Sequence, residues 1–186
     1  MKKTTLCYLQ LNGKYLMLFR NKKANDPNEG KCIGVGGKFL PGESPEECLL
    51  REMREETGFA LLSYEQQGIV HFLSDQWEDE DMYLFTATSF RTASGEVYQD
   101  AADGCDVPSC EQCSAAGGAC GELPADFWPV PECAEGTFMW VPINRVPTLP
   151  LWEGDMHFLT ALAAGERDID MTLRYEGDSL AEVVSR

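Results

Sequence analysis

The run from Ser44 to Gly58 constrains this chain more than any other stretch of its length. Ser44 precedes Pro45, and Glu47 follows three residues after the serine. That arrangement supplies an N-cap, a proline at the first helical position and a capping-box acid. Gly58 provides a left-handed stop, so the spacing predicts a helix from about Pro45 to Thr57. On such a helix Glu52, Glu55 and Glu56 stand at i, i+3 and i+4 and share one face. Leu49, Leu50 and Met53 fall largely on another face, suited to packing on a sheet. Each like-charged pair at this spacing disfavours the bare helix by a few tenths of a kcal/mol, which a solvated acidic surface would tolerate. A hard cation accounts for the cluster better, because grouped carboxylate oxygens suit Mg²⁺ or Mn²⁺, which keep positions open for water and phosphates. Just upstream, Gly34, Gly36 and Gly37 let backbone approach a phosphate or metal with no Cβ in the way, and Lys38 is placed to meet a phosphate.

Around this segment the hydrophobic pattern reads mostly as strands. Thr4 to Leu11 alternates, Asn12-Gly13 is a two-residue turn signal, and Lys14 to Phe19 alternates again, which predicts a hairpin. Residues 20–31 form a polar, basic loop ahead of a short strand around Ile33 to Val35. Further strands are expected at Leu62 to Leu73, Met82 to Phe90, Gly136 to Val141 and Ile169 to Tyr175. Leu151 to Ala163 reads as a second helix closed by Gly165. Strands flanked by two helices indicate an α+β layered sheet in a single domain spanning residues 1–186.

Residues 101 to about 134 break this pattern, with five cysteines, four prolines and no basic residue. A long segment without periodicity inside a domain is uncommon and is either functional or disordered. It is read as a Cys-rich insertion between two strands. Cys110 and Cys113 have a zinc-knuckle spacing, and Cys105 and Cys120 would complete a structural Zn²⁺ site. A flexible loop and redox pairing are the alternatives, because no second CxxC is present. Cys7, Cys32 and Cys48 lie in expected core elements and read as buried small hydrophobes.

The net charge of −16 is unevenly spread, with ten of the fifteen Lys and Arg residues before residue 55. Such a surface argues against binding duplex nucleic acid, whose affinity comes largely from Lys and Arg on phosphates. A small phosphorylated substrate remains compatible, since metal ions neutralise both sides. No stretch has the length of a membrane helix and no signal-peptide core follows Met1, so a cytoplasmic protein, monomer or homodimer, is the expectation.

From Gly37 through Glu43, Arg51-Glu52-Met53-Arg54-Glu55-Glu56, Gly58 and Phe59, the chain reads G-x5-E-x7-R-E-U-x-E-E-x-G-U, with U a bulky apolar residue. This resembles the Nudix box at every position. The resemblance implies an αβα sandwich with a mixed central sheet and metal-assisted hydrolysis of a nucleoside diphosphate linked to another group. It also implies that Glu52, Glu55, Glu56 and the Gly36 carbonyl hold the metal ions and that Glu43 and Arg51 brace loop against helix. Glu52 is the first candidate for proton acceptor, and Glu135, before the Gly136-Thr137-Phe138 strand, the second.

Outside the box the chain resembles the MutT-like, 8-oxo-dGTP diphosphatase branch. The similar stretches are Asn21 to Lys31 and Gly34 to Lys38, then Leu151-Trp152-Glu153-Gly154-Asp155 and Leu173 to Asp178. The implied reaction converts an oxidised purine nucleoside triphosphate to monophosphate and pyrophosphate, a nucleotide-pool step that serves DNA repair. Substrate contacts would come from Lys23, Ile33, Gly37, Lys38, Trp152 and Asp155, with Trp152 stacking on the purine and Asp155 bonding its edge. Ile33 stands where some relatives place an Asn that reads the oxidised base, and an isoleucine makes no such hydrogen bond. His71 is expected to border the pocket without a catalytic role. Another nucleoside triphosphate or a nucleotide sugar is the competing substrate class, and a metal- or redox-sensing nucleotide-binding module is the reading from outside enzymology.

Overall fold

The computed structural model describes residues 1–23, 26–100 and 129–186. Two strands open the chain, β1 (Lys2–Leu11) and β2 (Lys14–Phe19), joined by the Asn12-Gly13 turn. β3 (Cys32–Ile33) is followed by α1 (Pro45–Thr57), then by the long antiparallel pair β4 (Ala60–Ser74) and β5 (Glu80–Arg91). β6 (Val97–Gln99), β7 (Thr137–Pro142) and a 3-10 turn (Ile143–Thr148) lead to α2 (Asp155–Ala163), and β8 (Ile169–Glu176) and β9 (Ser179–Ser185) close the chain.

The strands run in the order β3-β2-β1-β5-β4-β8-β9, with β6 beside β5 and β7 beside β2. The β1/β5 and β4/β8 pairs are parallel and the other pairs antiparallel, so the sheet is mixed as expected. Adjacent residues of β1 enter different cores, which follows from the two-residue period of a strand. Cys7 and Leu9 pack with Leu49 and Met53 of α1, whereas Tyr8 packs with Phe158 and Leu159 of α2. The helices therefore cover opposite faces, and the αβα sandwich is observed. Leu49 and Met53 are essentially inaccessible to water, and truncating either to alanine is expected to cost roughly 2–5 kcal/mol.

α1 begins and ends where its sequence dictates. Ser44 accepts a hydrogen bond from the Glu47 amide, and the Glu47 carboxylate accepts one from the Ser44 amide. Gly58 closes the helix with φ 72°. α2 is shorter than its apolar pattern implies, because residues 151–154 form a turn before it. β6, β9 and the 3-10 turn have no counterpart among the expected elements. β9 is largely exposed along its length, which gives it no strong two-residue hydrophobic pattern to read.

One departure from regular pairing places the site. β1 and β2 pair only beside their turn, at Gln10–Tyr15 and Leu11–Lys14, before β2 turns away to pair with β3 and β7. The edge of β1 that this leaves open is filled by the glycine segment. Cys7 and Val35 exchange backbone hydrogen bonds of 2.7 and 2.9 Å, and the Thr5 amide donates to the Gly37 carbonyl at 2.9 Å. A Cβ on Gly36 would lie 2.0 Å from the Thr5 carbonyl oxygen, so no larger residue fits this approach.

Candidate active site

Arg51 fastens α1 to the glycine loop. Its Nε and Nη2 donate to the two oxygens of Glu43 at 2.8 and 2.9 Å, and Nη2 also donates to the Lys38 carbonyl at 2.9 Å. Nη1 reaches Glu52 at 2.7 Å and Glu55 at 3.1 Å. The bidentate Arg51 pair holds the Glu43 carboxyl down at about 2. Arg51 does not line the cleft described below. Its hydrogen bonds make it the brace between loop and helix.

A cleft of about 740 Å³ opens beside this brace and is lined by Glu52, Glu56, Gly36, Gly37 and Lys38. A Cβ on Gly37 would fall 2.3 Å from a Glu52 carboxylate oxygen, so the missing side chain is what lets loop and acid meet. Glu56 is largely buried. Burial, then the charges of Glu52 and Glu135, push its carboxyl up to about 7, against the weaker pull of Arg20 and the Gly36 amide. Its Oε2 has no hydrogen-bond partner. Glu55 differs from its two neighbours: its side chain is 61% exposed, and it does not line the cleft. Among the described residues, no three His, Cys, Asp or Glu side chains are preassembled at metal-holding separation. The donor set nevertheless fits a hard cation. A buried oxygen of Glu56 is orphaned, Glu52 sits against a cradle that a Cβ on Gly37 would fill, and all the donors are oxygen.

Glu135 lines the same cleft, placed there by the short segment before β7. It pairs with Arg20 and, at 2.9 Å, with Lys23, whose hydrogen bonds and charge lower its carboxyl against the opposing effect of burial. Arg20 is itself nearly buried and donates from Nε to Asp26 at 2.6 Å. Sequence reasoning misses its place: it opens the basic run Arg20-Asn21-Lys22-Lys23, and nothing in that run marks it as the residue turned inward.

The opposite end of the cleft is apolar and aromatic, with Ile33, Phe72, Met82, Leu173 and Tyr175 around Trp152 and Asp155. The Trp152 indole is fixed by three contacts. Its Nε1 donates to Asn28 Oδ1 at 2.9 Å, Lys31 Nζ lies 4.7 Å from the ring centroid, and Tyr175 meets it edge-on at 6.0 Å and 84°. Tyr175 also accepts from the Gly154 amide at 2.7 Å, which ties the turn before α2 to β8. Asp155 is buried at the start of α2. Burial pushes its carboxyl up to about 7, although Lys31 and the Trp152 backbone pull it back. Protonated, this group can donate as well as accept a hydrogen bond; ionised, it only accepts.

The expected metal residues Glu52, Glu56 and Gly36 and the expected substrate residues Lys23, Ile33, Gly37, Lys38, Trp152 and Asp155 thus all line one cleft. His71 does not. Its ring hydrogen-bonds Asp81 at 2.6 Å on the face of the sheet away from Phe72, because alternate residues of β4 point to opposite sides. The buried cysteines Cys7, Cys32 and Cys48 are free and in the core as expected, and Cys133 joins them. The Zn²⁺ expectation for Cys105, Cys110, Cys113 and Cys120 falls outside the described residues. Among those described, no helix is long and apolar enough to cross a membrane.

Known proteins resemble this chain in sequence and in fold. The NUDIX domain profile matches residues 2–115, more than half of the chain. An uncharacterized Nudix hydrolase, YvcI of Bacillus subtilis, is 24% identical over 179 residues, covering 94% of this chain and 87% of its own. Among solved structures, the MutT protein from Bacillus halodurans superposes with a TM-score of 0.70 at 22% identity, over 100% of this chain and 97% of its own. The NUDIX domain of Shewanella oneidensis NrtR, solved with ADP ribose, does so with a TM-score of 0.54 at 16% identity, over 88% of this chain and 86% of its own.

Proposed function

The chain belongs to the Nudix hydrolase family, and from that premise we propose that it hydrolyses purine nucleoside triphosphates, oxidised ones such as 8-oxo-dGTP included, to the monophosphate and pyrophosphate. The observation that carries this reading is the continuity of one cleft. It joins the paired acids Glu52 and Glu56 at one end to Trp152 and Asp155 at the other.

Nudix enzymes typically use Mg²⁺, and here Glu52, Glu56 and the Gly36 carbonyl would hold it, with Glu55 joining them on release from its exposed pair with Arg51. When bound, the ion supplies charge neutralisation for the phosphates and a bound water of lowered pKa. The chain's own groups do the rest. Lys38 and Lys23 stand along the cleft to meet phosphate oxygens. Glu52 is placed to accept the proton of the attacking water, and Arg51 keeps its carboxylate pointed at the loop. Glu135 is a weaker candidate for that proton, because Arg20 and Lys23 already occupy both its oxygens. At the far end Trp152 offers a fixed plane for a purine, and Asp155 presents its carboxyl to the ring edge. Ile33 adds an apolar wall and no hydrogen bond, so selection for the oxidised base rests on Asp155 and backbone groups.

The test is Mg²⁺-dependent pyrophosphate release from a panel of 8-oxo-dGTP, dGTP, pyrimidine triphosphates and ADP-ribose. The reading expects kcat/KM for 8-oxo-dGTP to exceed that for dGTP by about tenfold, the scale of one well-placed polar contact. Equal rates on all triphosphates would leave a general triphosphatase, and preference for ADP-ribose would overturn the assignment of the Trp152 end.

A further inference from the structure

The β4–β5 turn carries a tryptophan that the reaction chemistry does not use. Trp77 is 47% exposed, yet the turn that presents it is firmly held. Ser74 Oγ accepts hydrogen bonds from the Gln76 and Trp77 amides at 3.1 and 3.2 Å, and Asp79 Oδ1 accepts from the Ser74 amide at 3.2 Å. From outside the turn, the Lys2 amide donates to the Asp79 carbonyl at 2.8 Å and the Gly177 amide to Asp75 Oδ1 at 2.8 Å. A half-exposed indole on a pinned turn keeps its ring surface available to a ligand.

The surroundings of Trp77 indicate what that ligand is. A second cleft of about 720 Å³ adjoins the first, and Trp77 and Trp152 line both. Lys31 packs on the Trp152 ring and lines the smaller cleft, not the larger one. Asp26 borders both clefts, Lys31 is the one base beside Glu153 and Asp178 in the smaller, and Lys2, Arg20, Lys23 and Lys38 stand among the acids of the larger. With its phosphates at the Glu52–Glu56 end, as the proposed function has them, a nucleotide in the larger cleft carries its uncharged ring toward the tryptophans.

We infer that Trp77 is a specificity-determining residue, a second stacking surface for a purine ring lying against Trp152. This rests on the reading of the Trp152 end as the base site. A purine presents more ring area to two indoles than a pyrimidine does, so the arrangement selects for base size without reading its edge.

The experiment measures steady-state kinetics of the full-length chain with dGTP and 8-oxo-dGTP for Trp77→Ala, Trp77→Phe and Trp152→Ala, together with inhibition by inorganic tripolyphosphate, which has no base. Trp77→Ala is expected to raise KM about tenfold with kcat within about twofold, and Trp77→Phe to restore most of the difference. The tripolyphosphate inhibition constant is expected to stay unchanged. A KM for Trp77→Ala within about twofold of the native enzyme overturns the inference whatever Trp152→Ala does. So does a tripolyphosphate constant that rises in step with KM, because the substitution would then act through the fold. A KM unmoved by Trp152→Ala instead overturns the base-site reading, so the two failures are told apart.

Discussion

At one end of the cleft Glu52 and Glu56, with Glu43 and Arg51 braced behind them, come from a single run of chain and are held largely by one another and by the adjoining loop. At the other, Ile33, Phe72, Trp152, Asp155 and Tyr175 come from β3, β4, the turn before α2, α2 itself and β8, and meet only when the sheet is assembled. The first end is charged and organised by local geometry: a capped helix, a loop without Cβ atoms and a bidentate arginine. The second is apolar and organised by tertiary packing, with its few polar atoms held by partners far away in the chain. Chemistry that depends on fixed charge can be encoded in a short motif, whereas a shape that selects a base is assembled from distant parts and is free to vary.

The sharpest way to break this division is Glu56→Gln. If the acidic end carries the chemistry, kcat should fall by more than about a hundredfold while the fold stays intact by circular dichroism. Retention of a tenth of the activity would remove Glu56 from the site. Arg51→Ala comes next. It leaves Glu43, Glu52 and Glu55 facing one another without a counter-charge, and misplacement of the loop should cost between about ten- and a hundredfold in kcat/KM. Thermal unfolding of the same variant should shift down by several degrees, and an unshifted midpoint would deny Arg51 its bracing role.

Two smaller effects belong to the other end. The Asp155 carboxyl is held near 7 in the folded protein and near its ordinary value of 3.8 when unfolded. Between those values the native state binds the extra proton, so stability contributed through this group is greatest at low pH and is lost as pH rises toward 7. Asp155→Asn should therefore flatten the fall in stability between about pH 4 and 7, measured by urea denaturation without metal. Glu56, whose carboxyl is raised in the same direction, contributes to the slope that remains. Asn28→Ala removes the Nε1 partner of Trp152 and should raise KM by only about two- to fivefold, because Lys31 and Tyr175 still hold the ring.

The same contrast governs how much of the molecule is legible in its sequence. α1, its caps, the glycine loop and the Glu43–Arg51 brace are legible because each rests on residues close in the chain. Ser44 and Glu47 cap each other, and Gly58 must take a positive φ. Trp152 and Asp155 are found only through resemblance. Their supports Asn28, Lys31 and Tyr175 are not found at all, because no local pattern records a contact across 124 residues such as that from Trp152 to Asn28. For His71 the expectation errs by one step of strand alternation, since which face of β4 turns toward the cleft is decided by its neighbours. Helical spacing alone puts Glu55 beside Glu52 and Glu56. Its exposure follows from Arg51, which draws it to the outer side of α1.

The claim that one cleft divides catalysis from base selection is tested most directly by calorimetric binding of 8-oxo-dGMP to Glu56→Gln and Trp152→Ala. The monophosphate fills the base end without being turned over. Glu56→Gln should bind it within about twofold of the native protein, and Trp152→Ala about tenfold more weakly, the worth of one lost stacking plane. Equal affinities for the two variants would contradict the division, whichever of them is the more active.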